Sequence, residues 1–233
     1  MRVARIVLIV LVVLGGLFVA ADRILVSVAQ DKAAEQAKIT EGLSSKPHVS
    51  IEGFPFLTQV LTGKLDDVKV EATGLAADGG TGQQVRFQSL RADLRGVKLS
   101  DGFKRAVADK ADGQVFLTYA DLRDAIGVPG LKVSYGGPAK NGAALVKLSG
   151  PILGGDLSVV SEVSVRGGDS VALHAENIPT AFTALGLENQ VRQRIDVQVP
   201  IAHLPSGLGL TGVGTAPDGI SVAAAGKDVV LAD

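Results

Sequence analysis

Apolar positions along this chain follow three patterns in turn. From Ile6 to Ala21, sixteen residues pass without a charge, between Arg2 and Arg5 on one side and Asp22 and Arg23 on the other. Sixteen apolar positions without a polar face do not fit the surface helix of a cytosolic protein. The stretch SVAQDKAAEQAKITEGL (27–43) is alanine-rich, charged and free of proline. It predicts a helix closed at Gly42, open to continuity with the apolar run. From Pro47 onward the period falls to two. Leu65, Val68, Val70 and Ala72 interleave with charged residues, and Val85, Phe87, Ala92 and Leu94 do so again within 85–99. Such alternation predicts half-buried antiparallel strands.

Two segments interrupt the strand pattern. In TYADLRDAIG (118–127), Thr118 and Asp121 form a capping-box pair, and Gly127 with Pro129 ends the helix. Its inward face carries Leu122, Ala125 and Ile126. In 177–195, Pro179 suits a first turn, and Leu187, Val191 and Ile195 recur four apart. Gly186 lies among them, so the segment predicts a short or broken helix. Strand-like runs fill 131–135, 143–150, 156–167 and 170–176, and the chain closes as hairpins from residue 195. GGPAKNG, RGGDS and PDG (217–219) read as their turns. Strands do not alternate regularly with helices, which disfavours a parallel doubly wound sheet. The fold class predicted is α+β: antiparallel strands with two or three helices, behind an N-terminal apolar helix. No linker divides 22–233, so these residues read as one domain following residues 1–21.

Residues 1–21 fit two descriptions. As a signal peptide they have a basic start, an apolar stretch and a Val19-Ala20-Ala21 ending that suits cleavage before Asp22. As a membrane anchor the run is short of the roughly 20 residues a span needs, unless Ile24, Leu25 and Val26 extend it. Both place the remainder outside the cytoplasmic membrane, because the positive charges stay inside.

Composition narrows the function. Mean hydropathy is +0.32, inflated by the N-terminal run. The net charge of −1 falls to −3 without Arg2 and Arg5, and Lys and Arg are dispersed with no basic stripe. Nucleic-acid binding is therefore not expected. With no cysteine, thiol catalysis, cysteine-held metal, disulfides and cysteine acylation are excluded.

Catalytic constellations do not emerge. GLGLTG (207–212) has the G-x-G-x-x-G spacing, but a turn follows where a dinucleotide fold needs a helix, so these read as hairpin glycines. His48, His174 and His203 share no metal-ligand spacing. Asp66 and Asp67 are adjacent on a strand and point to opposite faces. Asp121 reads as a cap, which leaves Asp124 alone. No enzyme activity, metal or cofactor is expected. What remains is an excess of aliphatic positions, which a closed core or a groove for acyl chains would both absorb.

Three motifs carry a family likeness. Pro47 to Gly63 reads P-H-V-S-I-E-G-F-P-F-L-T-Q-V-L-T-G, with the strand Asp67–Ala72 behind it. Thr118 to Leu122 reads T-Y-A-D-L. His203 to Val213 reads H-L-P-S-G-L-G-L-T-G-V, with D-G-I-S-V at 218–222. In this order, from about residue 22 to the C-terminus, the chain resembles the LmeA-like phospholipid-binding proteins of actinobacterial cell envelopes. The resemblance implies a tubular lipid-binding-like fold, a long curved antiparallel sheet wrapped around one or two helices. It implies a periplasmic phospholipid-binding, non-hydrolytic protein serving the mannosylated phosphatidylinositol lipoglycans. The expected partners are a phospholipid of the phosphatidylinositol type and the outer face of the cytoplasmic membrane, with the protein a monomer. The other readings are a membrane-anchored structural or interaction domain without a ligand and, against the absence of a catalytic constellation, an envelope enzyme acting on lipid or glycan.

The family transfers no ligand map, so the lipid-contacting candidates are chosen physically: Phe54, Phe56, Leu57, Val60, Leu61, Leu122, Ile126, Phe182, Leu185 and Leu204. The first five come from GFPFLTQVL. Gly53 and Pro55 end the strand there, and Leu57, Val60 and Leu61 have helical spacing. Phe54 and Phe56 share a face if the segment stays extended, either plugging one end of the core or lining a lipid mouth.

Overall fold

The computed structural model describes residues 2–40, 43–78, 84–127, 129–139, 143–152, 155–201 and 204–232. The expected cap at Gly42 and part of the GGPAKNG turn lie outside the described residues. The apolar run and the charged helix form one continuous helix, α1 (Arg2–Thr40). It is long and apolar enough to cross a membrane. Its large side chains from Val3 to Val19 are exposed, whereas Val26 and Ala34 are buried in the domain.

The fold is α+β and antiparallel, as the pattern predicts, and its strands divide between two open sheets. The larger contains β1 (His48–Glu52), β2 (Lys64–Asp78), β3 (Gln84–Ser100), β4 (Arg105–Thr118), β10 (Leu208–Ala216) and β11 (Gly219–Ala232), in the order β1-β2-β3-β4-β11-β10. The smaller runs β5 (Lys132–Tyr135), β6 (Ala144–Ile152), β7 (Gly155–Arg166), β8 (Ser170–Asn177) and β9 (Val197–Pro200) in sequence order. Short helices punctuate them: α2 (Phe56–Thr62), α3 (Tyr119–Ile126), α4 (Thr180–Ala184) and α5 (Glu188–Ile195).

Capping chemistry sets the helix ends where the sequence places them. Thr118 accepts from the Asp121 N–H at 3.1 Å and Asp121 reaches back to the Thr118 N–H, while Gly127 closes α3 in the left-handed conformation. Gly186, at φ +70°, breaks the 177–195 segment into α4 and α5. Val191 and Ile195, four apart on α5, are buried, and Leu187 is half-buried.

Two hydrophobic clusters hold the chain. One joins the sheets: Leu117, Tyr119 and Ile220 pack with Val146, Val159 and Val191. The other gathers at the far end of the larger sheet, where Val26 and Ala34 of α1 and Phe56 of α2 meet Val49, Ile51, Leu65, Val97 and Ala108.

The larger sheet is creased, and the crease explains an irregularity in its sequence. Asp66, Gly96, Asp109 and Asp228 lie at one level on β2, β3, β4 and β11 and drop out of the ladders. Gly96 and Asp228 have positive φ there. On all four strands the inward apolar residues step by three across this level instead of two: Leu65 to Val68, Leu94 to Val97, Ala108 to Ala111, Gly226 to Val229. A step that crosses four strands together bends the sheet while keeping one face apolar. A second step, Ala72 to Leu75 opposite Phe87 to Leu90, sits at Gly74 (φ +63°).

Candidate functional site

Register places the inward residues of the larger sheet in rows. One row runs Ala72, Leu90, Val115, Val222, Val213. The next runs Val49, Val70, Ala92, Gly113, Ala224, Leu210, and the third Ile51, Val68, Leu94, Ala111, Gly226, Leu208. In the second and third rows the middle is made of small residues, Ala92, Gly113 and Ala224 in one and Ala111 and Gly226 in the other, whereas the first row carries Leu90, Val115 and Val222 at its middle. α1 covers the edge at β1 and β2, and the smaller sheet covers the edge at β10. Between them Leu90, Ala92, Val222 and Ala224 belong to neither cluster and stay half-buried. The result is an aliphatic floor, lowest at the middle of its second and third rows. The opposite face of the same strands carries Lys69, Glu71, Arg91, Asp93, Arg95 and Lys110 toward solvent.

At the α1 end, GFPFL does not stay extended, the condition on which Phe54 and Phe56 would share a face. The Phe54–Pro55 peptide is cis, and α2 starts at Phe56. The spacing of two therefore ends at Pro55, and the rings part: Phe56 is buried in the cluster under α1, and Phe54 is 58 % exposed. Pro55 stands at the helix cap without a side-chain acceptor. Asp22 of α1 supplies one, accepting the Leu57 N–H at 2.8 Å, and its other oxygen takes the Arg23 guanidinium at 2.5 Å. Arg23 also lies over the Phe54 ring, 5.2 Å from its centroid, a cation–π distance. A cleft of about 250 Å³ opens beneath α2, lined by Phe54, Pro55, Thr58, Gln59, Thr62, Lys64 and Asp66.

The candidates chosen from sequence do not converge on one place. Leu57 and Val60 are half-buried, Val60 against the α1 cluster, while Leu61 points out at 87 % exposure. Leu122 and Ile126 pack against the other cluster, beneath α3. Leu185 is 73 % exposed after α4, and Leu204 is half-buried. Phe182 lies on α4, and its side chain is outside the described residues. A second cleft of about 530 Å³ adjoins α3 but is lined by Arg123, Asp124, Gly127, Pro129, Gly130, Leu131 and Lys132. Charged side chains stand in the lining of both clefts: Lys64 and Asp66 in one, Arg123, Asp124 and Lys132 in the other.

The aliphatic floor is what sequence reading missed. Leu90, Ala92, Val222 and Ala224 fall on four strand positions brought together only by register. The signal available was the alternation of Ala and Gly with charged residues along β3 and β4, and the uncharged Ala223–Gly226 run on β11.

The other chemistry is structural. Asp109 accepts from Lys98 at 2.7 Å and Lys64 at 2.9 Å. The Lys98 and then the Lys64 ammonium hold its carboxyl below the usual carboxylate range, and Asp109 raises Lys98 in return. His174 is largely exposed and pairs with Asp196 at 2.8 Å. GLGLTG runs from the turn residue Gly207 into strand β10, where a dinucleotide fingerprint would open a helix.

The family model for LmeA-like phospholipid-binding proteins matches residues 20–225, from just before the Asp22 clamp to the third row of the floor. The chain belongs to the LmeA-like phospholipid-binding family. No curated protein and no solved structure matches it. The match spans GFPFL, α3 and the rows of the aliphatic floor except Gly226. It is a lipid-binding family and not a family of enzymes, in keeping with a site whose surfaces are aliphatic.

Proposed function

We propose that this protein binds a phospholipid outside the cytoplasmic membrane and shelters its acyl chains on the aliphatic floor of the larger sheet. The family match over 20–225 carries this reading. The floor supports it. The small central residues of its second and third rows leave depth, and α1 and the smaller sheet wall it on both sides. Covering one CH₂ is worth about 0.8 kcal/mol, so two long chains cannot cross water unaided. A surface that takes those chains lowers the cost of leaving the bilayer, which is the physical requirement for lipid transfer. The ligand proposed is of the phosphatidylinositol type, and the process served is maintenance of its mannosylated lipoglycans, in line with the envelope family.

The test is native mass spectrometry of full-length protein taken from its own envelope, paired with uptake of labelled phosphatidylinositol from liposomes. Co-purifying phospholipid and saturable uptake are expected. Absence of both removes the lipid reading and leaves an anchored interaction domain.

A further inference from the structure

The direction of α1 sets the end of the domain from which its apolar half leaves. Asp22 bonds to α2, beside the start of β2. Just past the other end of α1, Ser45 and Ser44 donate to the Thr73 and Gly74 carbonyls, far along β2. The helix between residues 22 and 40 is about 27 Å long, close to the roughly 30 Å that β2 covers from Leu65 to Gly74. Helix and strand thus run side by side. Residues 3–21 therefore project past the α2 end, for about 28 Å. That length fits a hydrocarbon core of about 30 Å.

The same end displays three large apolar side chains to solvent. Phe54 is 58 % exposed, Leu61 87 % and Phe103 63 %. Phe103 sits in the β3–β4 turn, bound to α2 through the Leu99 N–H, which donates to the Gly63 carbonyl at 2.8 Å. Asp101, Gly102 and Phe103 all have positive φ, a conformation in which a bulky side chain is unusual. The turn spends this strain on holding an aromatic ring outward. Lys104 and Arg105 follow it, exposed, and Arg23 stands beside Phe54. Single exposed apolar residues need no explanation. Three on adjoining segments, rimmed by cations at the root of an apolar helix, have the composition of a membrane-interface anchor.

We propose that Phe54, Leu61 and Phe103 form a pad that enters the interface of the bilayer holding the apolar half of α1, standing the larger sheet up from the membrane. This goes beyond phospholipid binding and does not depend on it, since the pad contacts the lipid surface and not a carried molecule.

The protein has no tryptophan, so single reporters are clean. The full chain is reconstituted in lipid vesicles of phosphatidylglycerol and acyl-brominated phosphatidylcholine, as Phe54→Trp, Leu61→Trp, Phe103→Trp and, on exposed β5, Ser134→Trp. The first three are expected to shift to the blue and lose most of their emission to bromine, and Ser134→Trp to do neither. Leu61, the most exposed of the three, keeps the test valid if an aromatic exchange disturbs folding. Quenching of the pad reporters no stronger than that of Ser134→Trp overturns the proposal, even if native mass spectrometry finds bound lipid. Quenched pad reporters with no bound lipid uphold it and count against the carried-lipid reading.

Discussion

The carboxylate of Asp22 accepts the backbone N–H of Leu57 across 35 positions of sequence, at 2.8 Å. This bond joins the last turn of the apolar run to GFPFL. It compensates for a proline cap that offers no acceptor, and Arg23 next to it covers Phe54. The side chain of Asp22 is fully shielded from solvent. Removing it leaves the α2 N–H groups without this partner. Asp22→Ala is expected to speed hydrogen exchange at Phe56–Thr58 and lower the melting temperature, and Asp22→Asn to retain most of the protection. Unchanged exchange in Asp22→Ala would mean that α2 is held by its apolar face alone.

The two phenylalanines of GFPFL should separate in denaturation. Phe56 is 6 % exposed inside the α1 cluster, so Phe56→Ala should cost about 3–5 kcal/mol in urea unfolding. Phe54 is largely exposed, and Phe54→Ala should change stability by no more than roughly 1 kcal/mol, the value of an exposed cation–π contact. Equal losses would mean that both rings belong to the core.

Sequence pattern reaches the elements because local physics decides them. The capping pair at Thr118 and Asp121, the break at Gly186 and the four-residue spacing of Val191 and Ile195 are local signals, and each is found in the structure. The division into two sheets is set by long-range pairing, such as Gly219 with Thr118, which no local window contains. The parting of Phe54 and Phe56 depends on α2 beginning one residue after Pro55. Phe103 escaped notice because an aromatic in a hairpin turn gains meaning only once the turn is seen beside α2. The three-residue step from Leu65 to Val68 was visible in β2 but acquires its sense from the same step on three other strands.

The crease gives a prediction of its own. Gly96 has φ +62°, and a Cβ added there would fall 2.5 Å from Asp109 Oδ2. Gly96→Ala must pay the left-handed penalty, roughly 1–2 kcal/mol, and must also displace the carboxylate from Lys98 and Lys64. A drop in urea midpoint with an unchanged slope is expected. Asp109→Asn should be milder and should lose part of the wild type's acid sensitivity. The Asp109 carboxyl is held below 3.8, so its contribution is present above that pH and fades as the pH falls through the lowered value.

Tyr119 predicts a response at the alkaline end. Its hydroxyl donates to the Ala216 carbonyl at 2.7 Å, tying α3 to the β10–β11 turn. Burial first, then nearby Tyr135 and Asp218, push its phenol up to about 12 from 10.0. The folded state thus prefers the neutral form. The contribution is whole below pH 10 and is lost as the pH rises through about 12. Wild type should lose more stability over that window than Tyr119→Phe. At neutral pH Tyr119→Phe should itself be weaker by about 0.5–1.5 kcal/mol, one hydrogen bond. Parallel alkaline curves would mean that Tyr119 ionises as freely in the fold as outside it.

The floor of the larger sheet offers the most direct functional test. Ala92 sits at its low centre, between Val70 and Gly113 in register, and neither hydrophobic cluster covers it. Ala92 is half-buried, and a Cβ added at the neighbouring Gly113 meets no side chain within 4 Å, so Ala92→Trp should fold with a penalty no larger than the roughly 1–3 kcal/mol of an overpacked core. It would fill the volume that acyl chains need. Asp93→Trp places the same ring one residue along, on the charged outer face, and serves as its control. Native mass spectrometry is expected to show the bound phospholipid sharply reduced in Ala92→Trp and unchanged in Asp93→Trp. If both retain lipid equally, the acyl chains lie elsewhere, and the half-buried rows between α1 and the smaller sheet are simply an uncovered part of the core.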